Sequence, residues 1–195
     1  MGQRLVVTIQ KDGENIANAY YHWSAYTDSA LEITNNICDR YDEFKEIASS
    51  DLELAVMLLQ STGAGLNEAE WRNIANADFT ETNHIALNPC ANRNEGLLCI
   101  TAEGMKDNLD WSDGDVYIDI GDGNVNFEVI NYYELEEFMV EYGEELEDGF
   151  YGNIKTVQEH PLDNATIHNF REVVDFVNEH DGGVICGDEV YLWIE

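Results

Sequence analysis

Residues 4–23 read RLVVTIQKDGENIANAYYHW, a stretch with a strand-like hydrophobic pattern. Every second residue from Leu5 to Ile9 is a large aliphatic one, and this period of two is typical of a β-strand. Asp12-Gly13 is a dipeptide that favours a tight hairpin turn, and a second apolar run follows it as far as Tyr20. The stretch is therefore predicted to form a β-hairpin.

Helical periodicity follows the hairpin. Thr27 is placed to cap a helix whose apolar residues recur at steps of three and four as far as Ala48. The run LELAVMLLQ at 52–60 predicts a second helix, and Asn67 is placed to cap a short third one. The Asn-rich segment 76–95 is typical of a long irregular connection and marks a possible subdomain boundary.

The second half of the chain mixes strands and helices in the same way. Strands are predicted at 97–101, 116–120 and 124–130, with a tight turn at 121–123. Helices are predicted at 132–148 and from Asp163 or Asn164 to about Glu179, and a closing strand pair at 184–186 and 189–194. This order favours an α+β fold in a single domain, 1–195. Its sheet is predicted to be mostly antiparallel, built from hairpins at about 4–23, 97–130 and 184–194, with four to five helices packed on it.

The charge of the chain is its most unusual property. Nine Lys and Arg residues stand against 40 Asp and Glu residues, a net charge of −31, in a chain whose 44% hydrophobic content is that of a folded protein. A globule of this length is about 40 Å across, and ~40 Å of DNA duplex carries about 24 charges. The protein therefore has at least the charge density of a duplex. Such a surface repels nucleic acid and anionic membranes and attracts basic proteins.

Salt adaptation and plain solubility are two alternative origins of this charge. Salt-adapted proteins are also acidic, although this chain is rich in Asn, Ile and Tyr and lacks the small-residue composition expected of them. Solubility alone needs less, because a net charge of about 2–8 normally suffices for a small domain. A run of like charges is commonly a solvated face, so both alternatives stay open.

The charge is most concentrated in residues 132–150, which read YYELEEFMVEYGEELEDGF and hold eight carboxylates without a Lys or Arg. On a helix, like charges three or four residues apart cost roughly 0.2–0.5 kcal/mol per pair. The exposed face is predicted to carry a row of carboxylates with one more beside it: Glu137, Glu141, Glu144 and Asp148, flanked by Glu134. This row is predicted to bind a partner.

The segment before this helix extends the acidic track. From Glu103 to Asp148 there are 16 acidic residues and one basic residue, Lys106. The partner-binding residues are predicted to include three aspartates of this segment and one aromatic residue of the helix: Asp110, Asp113, Asp115 and Tyr133. Carboxylates mixed with exposed aromatic rings suit Lys and Arg side chains, which normally hold nucleic acid.

No catalytic or metal-binding motif competes with this acidic track. The chain lacks GxSxG, HExxH, Walker-loop and GxGxxG sequences, and its Asp-rich stretch does not follow the EF-hand spacing, so neither metal nor cofactor is predicted. An alternative binding site is His22 and Trp23 of the YYHW sequence, which would take a small ligand or another protein. A Cys–His dyad of Cys90 and His84 is a third hypothesis.

The expected location is the cytoplasm. No signal peptide or membrane-spanning run is recognisable in the sequence. The four cysteines form no CxxC pair, so we expect reduced and mostly buried thiols.

Residues 2–27, GQRLVVTIQKDGENIANAYYHWSAYT, resemble the N-termini of small proteins from phages and prophages of low-GC Gram-positive bacteria. The resemblance covers the hairpin and the start of the next helix, contains no active-site motif, and implies a mobile-element context. In surface chemistry alone, an acidic phage protein resembles the DNA-mimicking anti-restriction and anti-CRISPR proteins. The expected function is a non-enzymatic inhibitor that occupies a basic nucleic-acid groove of a host defence protein, such as a CRISPR or restriction nuclease.

Overall fold

A computed structural model of the chain describes residues 3–66, 96–129, 132–142, 155–156, 161–180, 183–186 and 189–192. The short helix predicted from Asn67 and the irregular connection 76–95 lie outside these ranges, as do Cys90 and His84.

The described part of the chain is α+β, as predicted. Its strands are β1 (Arg4–Lys11), β2 (Glu14–His22), β3 (Gly65–Leu66), β4 (Leu97–Cys99), β5 (Gly114–Asp119), β6 (Val125–Val129), β7 (Lys155–Thr156), β8 (Val184–Cys186) and β9 (Glu189–Leu192). Its α-helices are α1 (Thr27–Ile47), α2 (Asp51–Gln60), α3 (Ala102–Leu109), α4 (Tyr132–Tyr142) and α5 (Phe170–Glu179). No helix within these ranges is both long and apolar enough to cross a membrane.

The β1–β2 hairpin forms the centre of a six-stranded sheet with the order β3-β4-β2-β1-β5-β6. Its turn is the predicted one: Asp12 and Gly13 both have left-handed backbone conformations, with φ of 54° and 79°. Two left-handed residues give the turn a twist that matches the right-handed twist of the strands. The second sheet is small and antiparallel, with the order β7-β9-β8.

Most strand pairings are antiparallel, as predicted, but β1–β5 and β3–β4 are parallel. In the β1–β5 pair Leu5 lies opposite Gly114 and Ile9 opposite Ile118. The pair joins the two halves of the chain and makes β1 an interior strand.

The two faces of the sheet are covered by different helices. The main core lies on one face, where α1, α2 and α5 bury apolar side chains in one cluster with the strands, among them Leu5, Ile9, Ile37, Leu58 and Phe170. On the other face α3 covers the hairpin, because Asn18 of β2 donates to the Met105 carbonyl at 3.1 Å and accepts from Asn108 at 2.8 Å. Both sides of β1 are therefore buried from Leu5 to Ile9.

The last helix begins later than predicted. A 3₁₀ turn occupies Pro161–Asn164, and α5 starts only at Phe170. The segment between them bridges to the β5–β6 connection and then turns: Ala165 accepts a backbone hydrogen bond from Val125 at 2.9 Å, Ile167 donates one to Gly123 at 2.8 Å, and residues 167–169 form a turn. These bonds to the β5–β6 connection outweigh the helix-starting tendency of the residues near 163.

Candidate acidic interaction surface

The acidic helix exists, and part of its predicted row is exposed. Helix α4 spans Tyr132–Tyr142, and Glu137 and Glu141 are exposed on it. Phe138 is buried, at 5% exposure, on the side where α4 packs against β8. Two further residues of the row, Glu144 and Asp148, lie outside the described residues, as does the side chain of Tyr133.

Glu134 does not lie on the exposed face, which corrects the predicted arrangement. Its Oε2 accepts hydrogen bonds from the Thr27 backbone N–H at 2.9 Å and from Thr27 Oγ1 at 3.0 Å. Burial raises the pKa of this carboxyl, against the lowering effect of the Thr27 bonds. Because the N-cap residue Tyr26 offers no side-chain bond, Glu134 caps α1 from another helix. Thr27 is therefore the first residue of the helix and receives the cap that it was predicted to provide.

Thr27 also connects the acidic helix to the second sheet. Its Oγ1 accepts a hydrogen bond from the Ile185 backbone N–H at 2.9 Å. A buried threonine thus connects the start of α1 to both α4 and β8, and this fixes where the exposed side of α4 lies relative to α1.

Asp113 is also engaged inside the protein. The Arg4 side chain donates hydrogen bonds to the Asp113 carboxylate from Nε at 2.7 Å and Nη2 at 3.0 Å, and the Arg4 backbone N–H donates a third at 2.9 Å. This hydrogen bonding from Arg4 lowers the pKa of Asp113. The pair ties the start of β1 to the start of β5. Asp110, by contrast, is exposed where α3 ends.

Asp115, another residue of the predicted acidic track, is half-buried on β5. Its Oδ2 accepts from Ser112 Oγ at 2.9 Å, whereas its buried Oδ1 has no hydrogen-bond partner. Burial, with a contribution from the charge of Glu128 directly across the strand pair, raises its pKa to about 6. Of the predicted track, Glu134, Asp113 and Asp115 are thus only partly exposed and make internal contacts, which corrects their predicted exposure; their role in partner binding stays a prediction.

Asp115→Asn is expected to stabilise the protein at pH 8 by about 1 kcal/mol, after allowance for solvent screening. The folded-state pKa, about 6, lies above the ordinary value of 3.8, so this group lowers the stability of the fold as pH rises from 3.8 to about 6, and the loss is complete above that pH. The difference from wild type should shrink as pH falls from 8 towards 4. Urea unfolding across this range checks the effect, with the exposed Asp110→Asn as the matched control. Equal effects of both variants would contradict it.

Within the described ranges the longest acidic row lies on α1, and it was not predicted from the sequence. Six exposed carboxylates lie along this helix: Asp28, Glu32, Asp39, Asp42, Glu43 and Glu46. At 100° per residue they all fall within about 100° of arc, and at 1.5 Å per residue they span ~27 Å. These acids occupy helix positions between the apolar residues from which the helix is predicted, so their spacing can be read from the sequence.

Helix α5 packs against α1 and adds a second row. Its exposed acids, at steps of three and four, are Glu172, Asp175 and Glu179. We call the six acids of α1 and these three the α1–α5 acidic face. Two arginines of the same helices are paired within it, Arg40 with Glu43 at 2.8 Å and Arg171 with Asp175 at 3.4 Å.

One end of the α1–α5 acidic face lies near α4, because Glu134 of α4 bonds Thr27, the residue before Asp28. The charges of Asp28 on α1 and Glu137 on α4 both act on Glu134 and raise its pKa, after the larger effect of burial. The three helices therefore present neighbouring negative charge around the start of α1.

The alternative site lies in an exposed aromatic patch at the end of the hairpin. Trp23 is 51% exposed and has a left-handed backbone with φ of 62°, and Trp111 is 66% exposed. His22 contacts the Trp23 ring edge-on at 5.3 Å, and Arg4 lies 5.9 Å from the Trp111 ring centre. Arg4 and His22 are opposite one another in the β1–β2 pair. We call Arg4, His22, Trp23 and Trp111 the tryptophan patch.

The described residues place no group of three or more His, Cys, Asp or Glu side chains where they could hold a metal ion. Cys38 is buried, and burial raises the pKa of its thiol to about 12, so it is a poor nucleophile at neutral pH. Two histidines bond within the fold: His22 Nδ1 to Tyr20 Oη at 2.8 Å, and His180 Nδ1 to the Phe176 carbonyl at 2.7 Å.

Comparison with known proteins identifies no relative of this chain. No family model, no curated protein and no solved structure matches the chain. Among the described residues, the α1–α5 acidic face and the tryptophan patch are two prominent exposed features.

Proposed function

We propose that the protein binds a basic nucleic-acid-binding protein through the α1–α5 acidic face and competes there with nucleic acid. The observation that supports this most directly is the row of six exposed carboxylates on one side of α1. A host defence nuclease is the partner class favoured by the phage resemblance. The protein acts as a binder in this proposal, with no chemical step of its own.

The row is comparable with a nucleic-acid strand in length and charge. Six carboxylates lie over ~27 Å, and because one of them is paired with Arg40 they leave about one uncompensated charge per 5 Å, against one phosphate per 3.4 Å along a single DNA strand. The neighbouring α5 provides a second row, and packed helices lie about 8–10 Å apart between axes. Two parallel lines of negative charge on a rigid support match what a basic groove binds in a duplex.

Burial of the opposite side of α1 offsets the repulsion among these exposed carboxylates. Its inner face buries Leu31, Ile37 and Tyr41 in the main core. Tyr41 is also fixed by its hydroxyl, which donates to the Ile120 carbonyl at 3.2 Å. Burial of such side chains contributes about 1.5–3 kcal/mol each, whereas each like-charged pair costs roughly 0.2–0.5 kcal/mol. The core thus keeps the helix formed while its charges remain available to a cationic partner.

Binding at two salt concentrations tests the proposal. The immobilised protein is exposed to a bacterial lysate at about 50 mM salt, and retained proteins are challenged with about 200 mM salt or with duplex DNA. We expect the retained protein to bind DNA by itself, to dissociate as salt rises, and to be displaced by the duplex. A partner that stays bound in both challenges would overturn the proposal.

The tryptophan patch supports a second candidate, a protein-binding module whose acidity serves solubility. Exposed tryptophans are frequent energetic centres of interfaces, and Trp23 keeps a backbone conformation that L-residues seldom adopt.

Trp23→Gly separates the two candidates, because glycine adopts a φ of 62° without strain and so removes the indole without disturbing the backbone. Under the second candidate the variant should bind its partner about 30-fold more weakly at any salt concentration. Calorimetry at two salt concentrations measures this loss. A loss smaller than about threefold would be evidence against the patch as the main binding site.

A further inference from the structure

We propose that the groove between α1 and α5 seats an arginine side chain of the basic partner. This inference rests on the proposed function and names the residue type that the acidic face recognises. The groove has a volume of about 400 Å³, and its lining includes Asp28, Glu32 and Asn35 of α1, with Val174 and Asn178 of α5. It therefore lies between the two acidic rows.

Asn35 supplies the observation that points to a ligand. The residue is only 6% exposed, its Nδ2 donates to Asp39 Oδ2 at 3.2 Å, and its Oδ1 is buried without a hydrogen-bond partner. Buried side-chain oxygens nearly always have a donor, and an unsatisfied one costs about 1–3 kcal/mol. The groove is thus lined by a residue whose amide oxygen lacks a donor.

The surroundings of Asn35 favour a cationic donor. Glu32 lies three residues before Asn35 on α1, so the two side chains are neighbours on the helix surface. Asp28 lies one turn further along, and both acids line the groove. Arg171 also lines it, but its Nε lies 3.4 Å from Asp175 Oδ1, so its charge is compensated on its own helix. The remaining charge of the groove is negative.

Arginine fits this set of acceptors better than lysine. A guanidinium has five N–H donors in one plane and can bond a carboxylate and an amide oxygen together, whereas an ammonium acts as a point charge. The aliphatic stem of the side chain would lie along Leu31 and Val174, which supply the apolar part of the lining. The geometry therefore combines a carboxylate, an orphan amide oxygen and an apolar wall.

Two labelled peptides of equal charge test the inference, one with eight arginines and one with eight lysines, each separated by Gly-Ser. Fluorescence anisotropy should show the arginine peptide binding more tightly to the wild type. Asn35→Leu should weaken arginine-peptide binding about 10-fold or more and change lysine-peptide binding less than twofold. The variant removes an unsatisfied oxygen without changing charge, so we expect it to fold.

Glu32→Gln provides a second variant at an exposed position, with Glu103→Gln on α3, beyond the other face of the sheet, as its matched control. Glu32→Gln should weaken arginine-peptide binding about fivefold more than Glu103→Gln does. If the arginine peptide binds with steep salt dependence but Asn35→Leu and Glu32→Gln behave like the control, the groove inference is wrong and the proposed function stands. The groove inference is also wrong if these variants weaken both peptides equally. If neither peptide binds the wild type at low salt, the groove inference and the proposed function are both wrong.

Discussion

Replacing Asp119 by alanine is expected to lower the free energy of unfolding by about 3 kcal/mol or more. This aspartate, at the end of β5, is 8% exposed, and its carboxylate accepts four backbone hydrogen bonds. Oδ1 accepts from the N–H groups of Asp12, Gly121 and Asp122 at 3.3, 2.8 and 3.2 Å, and Oδ2 accepts from Gly13 at 2.9 Å. One side chain thus holds the β1–β2 turn against the β5–β6 connection.

The pH dependence of stability gives an independent check on Asp119. Burial acts to raise the pKa of this carboxyl, but the four backbone bonds together outweigh burial and lower it below 3.8. Its contribution is therefore present above pH 3.8 and is lost as pH falls through the lower folded-state pKa. Urea unfolding of Asp119→Ala at pH 7 and pH 3 should show a smaller difference from wild type at pH 3. Asp122→Ala, an exposed neighbour with the same charge, is the control, and an equal loss in both would refute the role.

The triple variant Asp42→Asn, Glu43→Gln and Glu46→Gln is expected to weaken partner binding about 3- to 150-fold at low salt, since each exposed ion pair contributes about 0.2–1 kcal/mol. These three acids lie near the C-terminal end of α1, where the helix dipole disfavours negative charge. The variant should therefore be at least as stable as the wild type while binding less well. Calorimetry or anisotropy with the captured partner measures the affinity, and thermal unfolding measures stability.

A charge-matched control separates the row from total charge. Glu14→Gln, Glu103→Gln and Asp107→Asn remove three exposed charges from the hairpin turn and α3. If this control weakens binding as much as the α1 variant, net charge alone attracts the partner and the α1 row has no special role. None of the three α1 substitutions lines the groove, so the result does not depend on the arginine inference.

Local signals in the sequence were sufficient to predict the β1–β2 hairpin and helix α1. Asp12-Gly13 specifies its turn through its own backbone preferences, and the apolar period of α1 is contained within the helix. Helix α3 was missed because it has only eight residues and little apolar pattern beyond Met105 and Leu109. The parallel β1–β5 pair has no local signature, since its strands lie about a hundred residues apart.

The sequence predicts that the candidate site is acidic, but it does not predict which carboxylates are exposed. Glu134 and Asp113 look like surface acids in the sequence, yet the partner of each lies more than 100 residues away, at Thr27 and Arg4. Long-range contacts of this kind engage a charged side chain inside the protein, and the sequence around that residue gives no sign of the contact. The left-handed backbone of Trp23 is likewise set by its place after β2, since Ser24 and Ala25 both donate to the Gln3 carbonyl.

The position of β1 in the middle of the sheet has a consequence for biosynthesis. The hairpin can form as soon as β2 leaves the ribosome, but β5, the other neighbour of β1, ends at Asp119. At about 5–20 residues per second, translation of the intervening hundred residues takes ~5–20 s. During that interval the nascent chain carries an apolar strand with one edge unpaired, a state prone to association with other chains. The high negative charge of the same chain opposes such encounters by keeping newly made copies apart.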